Sequence, residues 1–213
     1  MFETFCTFKQ WRDTMARRST HTPEELRQRI LEAAQTIIER DGLVGLSARE
    51  IARLIDYSPG TLYNIFENLD DVLLTLQTQM VASLVDVMKG VTLGPSPAAN
   101  IDALARCYLD FALDNKRMWN LLFTHYLPQG ATTPQALHDN VNMVSGLVAE
   151  VITPLMPKAS RTEIEIAAKT FWASVHGITA IAVTDKGPSL NSATAHVFLK
   201  QLITTYTRGL TAA

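Results

Sequence analysis

The sequence predicts an all-α protein in which three N-terminal helices are joined by a long fourth helix to a C-terminal helical bundle. Three observations predict this fold class. Apolar residues recur every three or four positions along most of the chain, which is the period of one helix face. Residues that favour helix N-caps, followed by proline or an acidic residue, precede most of these stripes. No run of alternating apolar residues bounded by turns argues for a strand.

The composition is that of an ordinary folded protein. Of the 213 residues 47% are hydrophobic and the formal net charge is −2, so we expect one or two domains with a sizeable core. Two cysteines, Cys6 and Cys107, make no disulfide framework, which fits a reducing cytoplasm. The longest apolar stretch, residues 171–183, is too short to span a bilayer, and the N-terminus lacks the apolar core of a signal peptide. We therefore expect a cytoplasmic protein without membrane association.

The first helix is predicted from signals at both of its ends. Thr22 is the N-cap, Pro23 occupies the first turn and Glu25 completes a capping box. Asp41-Gly42 ends the helix, because Gly42 can adopt the left-handed C-cap conformation. The inward residues are Leu26, Ile30, Ala33 and Ile37.

Two short helices and one long helix follow. Ser47 and Glu50 form a second capping box, and Ser58 with Pro59 caps a third helix, so the short helices span about residues 47–54 and 58–65. Asn68 starts the long fourth helix. The predicted inward residues of the third and fourth helices are Leu62, Phe66, Leu69, Leu73, Leu76, Met80, Leu84 and Val87.

Five further helices are predicted after a loop at residues 90–97, which holds two glycines and two prolines. They span residues 97–114, 116–126, 134–155, 161–184 and 193–208. Ser160 and Glu163 cap the fourth of them, which runs to a break at residues 185–188. In the predicted helix 97–114 the inward residues are Ile101, Leu104, Tyr108 and Ala112. In the predicted helix 134–155 they are Leu137, Val141, Val144, Val148, Val151 and Leu155.

The second and third helices have the spacing of a helix-turn-helix, in which the first helix braces the second in the DNA major groove. Residues 23–76 resemble the N-terminal domain of the TetR (tetracycline repressor) family. The matching residues are Ile30-Leu31-Glu32-Ala33-Ala34, Gly42, Leu46-Ser47-Ala48-Arg49-Glu50-Ile51-Ala52, Tyr57-Ser58-Pro59-Gly60-Thr61-Leu62-Tyr63 and Phe66. The resemblance implies an N-terminal arm over residues 1–20, a helix-turn-helix DNA-binding domain over 21–68, and a dimerisation and effector-binding domain over 69–213.

Candidate DNA contacts follow from side-chain chemistry and from the resemblance. Gly60 lets the backbone approach DNA closely, Asn64 can pair with adenine, and the methyl group of Thr61 can pack on thymine. The resemblance assigns phosphate contacts to Arg49, Ser58 and Tyr63. Ser47 and Ser58 are helix caps first, and Tyr57 fits packing on the domain as well as it fits reaching a base. The full candidate set is Arg17, Arg18, Ser47, Arg49, Tyr57, Ser58, Pro59, Gly60, Thr61, Tyr63 and Asn64.

The charge distribution argues against a simple DNA-binding surface. Residues 1–76 carry nine Lys and Arg against twelve Asp and Glu. The TetR family commonly has a lysine at the start of the fourth helix, where this sequence reads Phe66-Glu67-Asn68-Leu69-Asp70-Asp71. Arg12, Arg17 and Arg18 are the expected replacement, by reaching phosphates or a minor groove. The alternative is a charged tail without a DNA role, and residues 1–15 are expected to lie outside the folded core.

The C-terminal part contains a second resemblance and a candidate ligand pocket. Trp172, His176 and Gly177 resemble a Trp-X-X-X-His-Gly signature of one TetR subgroup, with the first two on one helix face and the glycine allowing close helix packing. An effector cavity among the helices is expected to be lined by Cys107, Met118, Trp119, Phe123, His125, Tyr126, Met143, Trp172 and His176. For any single aromatic residue, a place in the core is the alternative.

The function implied by these observations is that of a sequence-specific transcriptional regulator. The resemblance favours a homodimeric repressor that a small-molecule effector releases from a palindromic operator in double-stranded DNA. The dimer is expected through the last two helices, whose apolar faces are wide enough to leave Ile166 and Ile181 for a partner. The alternative is a helical ligand-binding or adaptor protein with a degenerate DNA domain. Five scattered histidines and the lack of a phosphate loop argue against an enzyme, a metal or a cofactor.

Overall fold

A computed structural model describes residues 21–127, 129–130, 132–184 and 191–212. Over these ranges the protein consists of α-helices and two 3₁₀ turns, Leu43–Gly45 and Thr153–Leu155, so the predicted all-α fold is confirmed. The helices are α1 (Pro23–Asp41), α2 (Ala48–Ile55), α3 (Pro59–Leu62), α4 (Leu69–Lys89), α5 (Pro97–Asp114), α6 (Lys116–Thr124), α7 (Gln135–Ile152), α8 (Arg161–Thr184) and α9 (Ser192–Ala212).

Helix α1 begins at the predicted cap, and it ends at the predicted Gly42, although this glycine does not have the predicted conformation. The Thr22 hydroxyl accepts a hydrogen bond from the Glu25 N–H at 3.2 Å, and the Glu25 carboxylate accepts one from the Thr22 N–H at 2.7 Å. The hydrogen bonds that the Glu25 carboxylate accepts from the Thr22 backbone and side chain lower the pKa of Glu25. Gly42 has φ 76° and ψ −177°, which is not the left-handed helical conformation predicted for it. This region of φ and ψ is nearly restricted to glycine, so Gly42 still ends the helix for a conformational reason.

The caps of α2 and α3 differ in part from the prediction. Ser47 accepts a hydrogen bond from the Glu50 N–H at 3.2 Å, but the Glu50 carboxylate pairs with Arg53 at 3.0 Å, so the second capping box is only half formed. The Ser58 hydroxyl makes no cap hydrogen bond and instead lies 3.0 Å from the Thr61 hydroxyl. Helix α3 is shorter than the predicted segment 58–65, and turns with backbone hydrogen bonds continue from it to Phe66.

Helix α4 connects the first three helices to the bundle and is buried on more than one face. Asn68 caps it as predicted, by accepting from the Asp71 N–H at 2.9 Å. Val87, predicted to be inward, is 49% exposed. Helix α4 packs against α1, α5, α6 and α7, so a single stripe does not describe its contacts. The additional buried residues are Val72, Leu74, Gln77, Val81, Val85 and Met88.

The bundle helices follow the predicted boundaries closely. The Ser160 hydroxyl accepts from the Glu163 N–H at 3.3 Å, and the Glu163 carboxylate accepts from the Ser160 N–H at 2.7 Å, so the cap of α8 is confirmed. Helix α7 ends at Ile152 rather than at 155, because Pro154 has no N–H to continue the helix and a 3₁₀ turn follows. Helix α6 ends two residues before its predicted end, and α9 extends to Ala212. The break at residues 185–188 lies outside the described residues.

Helix α8 is longer than the apolar stretch that the sequence singled out. By length and composition alone it could cross a membrane, with a mean hydropathy of 1.3. Much of it is packed inside the bundle instead, including Ala168, Phe171 and Val175. Its first turns carry an ion pair between Arg161 and Glu165 at 2.9 Å. The length and hydropathy of α8 are weak evidence for membrane insertion, because the core helix of a soluble protein can have the same length and composition.

Candidate DNA-binding face and ligand cavity

Helix α3 and the turn after it present an outward surface, which we call the α3 face: Ser58, Pro59, Gly60, Tyr63 and Asn64. All five are exposed, and Tyr63 is 52% exposed although it is aromatic. On the opposite side Leu62 and Phe66 are fully buried, as predicted. Burial of these two side chains therefore fixes the orientation of the α3 face toward solvent.

Gly60 occupies an open position on this face. A Cβ atom built there would meet only the Ser58 Oγ, at 3.8 Å, which is an ordinary contact. Nothing in the folding of the chain therefore requires a glycine here. An external reason for the glycine, such as the close approach of another molecule, is consistent with this geometry.

Four of the predicted DNA residues have structural partners within the domain: Ser47, Tyr57, and the hydroxyl pair of Ser58 and Thr61. The Tyr57 hydroxyl lies 2.7 Å from Nδ1 of His21, and the Tyr57 ring packs against the core, so of its two predicted roles the structure favours packing. Arg29 Nη1 lies 2.8 Å from Nε2 of the same imidazole and 3.4 Å from its Nδ1. Thr61 is half-buried rather than on the exposed side, and Ser47 is occupied as the cap of α2.

The charges around the α3 face are partly neutralised inside the domain. Arg49 is exposed, whereas Arg53 pairs with Glu50. The acidic residues at the start of α4 are structural: Asp71 accepts from the Glu67 N–H at 3.2 Å, and Asp70 pairs with His125 at 2.8 Å. The predicted replacement cations Arg12, Arg17 and Arg18 lie outside the described residues.

A cavity of about 370 Å³ lies among helices α4 to α8. Apolar and aromatic side chains make up most of its wall. The described lining residues are Leu74, Gln77, Val81, Leu84, Tyr108, Trp119, Leu122, Phe123, His125, Leu127, Thr133, Leu137, His138, Val141, Val144, Trp172 and His176. The volume is within the range of cavities that bind small molecules.

One end of the cavity carries a cluster of aromatic and polar groups. The Tyr108 hydroxyl lies 2.6 Å from Nδ1 of His176, and the Phe123 and His176 rings are 4.8 Å apart. Burial lowers the pKa of His176 and raises the pKa of Tyr108, so both side chains are neutral near pH 7. The indole N–H of Trp119 is buried without a hydrogen-bond partner among the described residues, whereas the buried indole N–H of Trp172 lies beside the Tyr108 hydroxyl.

A second set of polar groups in the cavity wall connects α6 to α4. Gln77 is buried, and its amide nitrogen lies 3.1 Å from both the Leu121 carbonyl and Nδ1 of His125. Nε2 of His125 lies 2.8 Å from the Asp70 carboxylate in the first turn of α4. A continuous chain of hydrogen bonds therefore runs from the cavity wall to the end of α4 nearest the helix-turn-helix.

Only some of the residues predicted for the pocket line the cavity. Trp119, Phe123, Trp172, His176 and His125 line the cavity. Cys107, Met118, Tyr126 and Met143 are not among its described lining residues: Met118 is buried in the core, Tyr126 is 86% exposed, and the sulfur of Met143 lies 3.5 Å from Lys89. Gln77 and Tyr108 were missed as pocket residues. The sequence contained a signal for Gln77, because Gln77 and Thr75 are the two polar residues in the otherwise apolar segment 72–77.

The Trp-X-X-X-His-Gly signature is partly explained by these contacts. The Trp172 and His176 rings are 5.8 Å apart, so both side chains share one helix face, as their spacing predicts. Gly177 does not serve close packing within the chain, because a Cβ atom there would meet nothing within 4 Å. That part of the prediction is wrong for the single chain.

Residues 101–206 match the family model described as the tetracyclin repressor-like C-terminal domain. The chain belongs to the TetR family. The matched segment includes the aromatic cluster at the end of the cavity, and the helix-turn-helix described above precedes it, as expected for a TetR-family transcriptional regulator. No curated protein matches the sequence.

Several solved structures share the fold of this TetR-family chain. A protein of unknown function from Rhodococcus sp. RHA1 is 21% identical, with a TM-score of 0.69 over 92% of this chain and 99% of its own. A transcriptional regulator from the same organism is 20% identical, with a TM-score of 0.64 over 89% and 97%. A TetR-family transcriptional regulator from Bordetella parapertussis 12822 is 21% identical, with a TM-score of 0.58 over 86% and 94%. At these identities the likeness shows the fold alone.

Proposed function

We propose that this TetR-family regulator is a homodimeric repressor that binds a palindromic DNA operator through its α3 face and releases it when a small molecule occupies the cavity. The observation that carries the proposal is the α3 face itself. It holds an exposed tyrosine, an exposed asparagine and a glycine that no close contact within the chain requires. Phosphate contacts by Tyr63 and Arg49 and base reading by Asn64 follow from this placement.

The proposed dimer is supported by an apolar face on α8 and α9. Ile166 and Ile181 on α8, and Val197 and Phe198 on α9, are exposed in the single chain, with Val197 68% exposed. Gly177 lies open on α8, which lets a helix of a second chain approach closely. Exposed apolar residues on two neighbouring helices are typical of a subunit interface. Two-fold pairing on this face would pair two α3 faces for one palindromic site.

The proposed release mechanism is supported by two contacts that connect the cavity wall to the first helices. Helix α6 contributes Trp119 and Phe123 to the cavity. From the same helix Arg117 donates to the carbonyl of Glu39 at 2.7 Å and to that of Arg40, at the end of α1. His125, directly after α6, pairs with Asp70 of α4. A ligand that displaces α6 would therefore change the positions of α1 and α4 together.

The alternative, a ligand-binding or adaptor protein with a degenerate DNA domain, is favoured by one observation. Residues 21–68 carry five arginines and no lysine against eight acidic residues. In the proposed regulator the residues before position 21 supply the missing positive charge. The protein is further proposed to be cytoplasmic and to have no enzymatic activity, in keeping with its family.

The experiment that tests the proposal is selection of bound duplexes from a random DNA pool by the full-length protein. We expect enrichment of a palindromic site and an affinity for it that falls steeply with salt, because phosphate contacts release counterions. Light scattering on the free protein should give the mass of a dimer. Recovery of no enriched sequence, with retention that does not depend on salt, would support the adaptor instead.

A further inference from the structure

We propose that the cavity takes a neutral, largely apolar molecule with a hydroxyl group that donates a hydrogen bond to the side-chain oxygen of Gln77. This ligand class rests on the proposed function in that the cavity is treated as the effector site. The residue that selects the ligand and the chemistry that it selects follow from the hydrogen bonds, the burial and the charge of the cavity wall.

The orientation of the Gln77 amide is fixed by two neighbours. The amide nitrogen lies 3.1 Å from the Leu121 carbonyl oxygen and 3.1 Å from Nδ1 of His125. A carbonyl oxygen can only accept a hydrogen bond, so the amide nitrogen rather than the amide oxygen faces Leu121. Because an amide nitrogen only donates, Nδ1 of His125 accepts its second hydrogen. Both hydrogens of the Gln77 amide are therefore used within the chain.

The side-chain oxygen of Gln77 accepts no hydrogen bond from the described residues, although Gln77 is only 6% exposed. An unpaired polar atom of a buried side chain is either fully enclosed or open to space inside the fold. In the described part of the chain, the fully enclosed atoms of this kind are indole nitrogens. The Gln77 oxygen is not among them, so it keeps accessible surface. Since Gln77 is otherwise buried and lines the cavity, we infer that this surface faces the cavity.

The free oxygen selects a donor. An amide oxygen can only accept hydrogen bonds, so a ligand that pairs with it has to carry an O–H or N–H group. Buried polar groups in native proteins are almost always paired, and a ligand that covers this oxygen without a donor would leave it buried and unsatisfied. A ligand with a donor at this point is therefore favoured over one that offers only an acceptor.

The charge of the wall selects a neutral ligand, so that the donor is a hydroxyl rather than an ammonium group. No Lys, Arg, Asp or Glu is among the described lining residues. Burial keeps the lining residues Tyr108 and His176 uncharged near neutral pH. The nearest carboxylate, that of Asp70, already pairs with His125. A charged ligand would be buried among apolar side chains without a counter-charge, which is strongly unfavourable.

The rest of the wall favours an apolar body for the ligand. Leu74 and Val81 line the cavity from the same helix as Gln77. Helix α6 contributes Trp119 and Phe123, whose rings are 6.4 Å apart. Ligand sites of this kind bind mainly by burying apolar surface, and a small number of polar groups fix the orientation of the ligand. Gln77 is the polar group to which we assign this role.

The test uses three matched probes on the full-length protein: 2-naphthol, 2-methoxynaphthalene and 2-(aminomethyl)naphthalene. The first donates from a neutral hydroxyl, the second keeps the oxygen but can only accept, and the third donates from a group that is positively charged at pH 7. By titration calorimetry we expect 2-naphthol to bind at least tenfold more tightly than either analogue, because it alone satisfies the Gln77 oxygen without burying a charge. Equal or tighter binding of either analogue, or binding of none of the three, would overturn the proposal.

A pair of variants assigns the preference to Gln77. Gln77→Leu removes the oxygen and keeps the wall apolar, so the preference for 2-naphthol over 2-methoxynaphthalene should disappear. Gln79→Leu makes the same change at an exposed position of the same helix and should keep the tenfold preference. A preference that survives in Gln77→Leu would overturn the assignment of the hydroxyl to Gln77.

A second measurement does not depend on a variant folding. In carbon NMR spectra of the unmodified protein, 2-naphthol should move the side-chain carbonyl resonance of Gln77 downfield, whereas 2-methoxynaphthalene should not. An unchanged Gln77 carbonyl resonance with bound 2-naphthol would contradict the proposed contact. DNA binding is measured separately with the selected duplex. If 2-naphthol binds with the expected preference but does not release DNA, the ligand class stands and the proposed effector role fails.

Discussion

Replacing Gly60 with alanine should separate DNA binding from folding. The added methyl group would meet only Ser58 Oγ at 3.8 Å and would otherwise point to solvent. The position lies in a helix and needs no positive φ, so alanine should leave the free energy of unfolding unchanged or raise it by about 0.4–1 kcal/mol. If the backbone of α3 approaches DNA closely at this point, the methyl group should weaken binding at least tenfold, or by about 1.4 kcal/mol. Stability and affinity should therefore change in opposite directions.

The assay is fluorescence anisotropy with the selected duplex, accompanied by urea unfolding. Two other glycines provide controls. A Cβ atom at Gly94, in the loop after α4, would meet nothing within 4 Å, so Gly94→Ala should leave the DNA affinity unchanged and affect the free energy of unfolding no more than Gly60→Ala does. A Cβ atom at Gly45 would lie 2.5 Å from the Cβ of Asp41, so Gly45→Ala should lower stability. Gly60→Ala with the DNA affinity of the unmodified protein would refute the close approach of the α3 backbone to DNA.

Three further predictions concern reading, assembly and pH. Tyr63→Phe should weaken binding to all duplexes by a similar factor, whereas Asn64→Ala should cost about 1–3 kcal/mol on the selected duplex and much less on random DNA; equal losses for Asn64→Ala on both would contradict base reading. Ile181→Asp should shift the protein to the mass of a monomer in light scattering, while Leu93→Asp, an equally exposed leucine in a loop, should not; an unchanged dimer would exclude this face. Because burial lowers the pKa of His176, the unfolded chain binds its proton more readily, so the free energy of unfolding should fall below about pH 6.5. His176→Gln should lose less stability than the unmodified protein between pH 7.5 and 5.5, and parallel curves would contradict this.

The acidic start of α4 has a different meaning in the structure than in the sequence. Read along the chain, Asp70 and Asp71 look like charges that repel phosphate. In the fold, the Asp71 carboxylate accepts from the Glu67 N–H just before the helix, and Asp70 pairs with His125. Asp70, one of the acids that flank the position where the TetR family commonly has a lysine, therefore connects α4 to His125 in the cavity wall.

The sequence by itself determined the helices, because their signals are local. Capping at Thr22 and Ser160 depends on residues three positions away, and the inward places of Ile101, Leu104 and Ala112 follow from the helical period. The resemblance to the TetR family also depends on short local segments of the sequence. The predicted side-chain cap at Ser58 was wrong because another hydrogen bond is available to this side chain: the Ser58 hydroxyl bonds to the Thr61 hydroxyl instead of capping α3.

Only the tertiary structure decided which of the aromatic and polar residues form the cavity. Tyr126 and Trp119 are seven positions apart and looked alike in the sequence, yet one is 86% exposed and the other is 2% exposed. Gln77 and His125, or Tyr108 and His176, meet across 48 and 68 positions. Such contacts depend on how long helices cross, and helical periodicity constrains the face of each helix without specifying its partner. The same limit applies to Gly177, whose open position becomes visible only when the neighbouring helices of the single chain are in place.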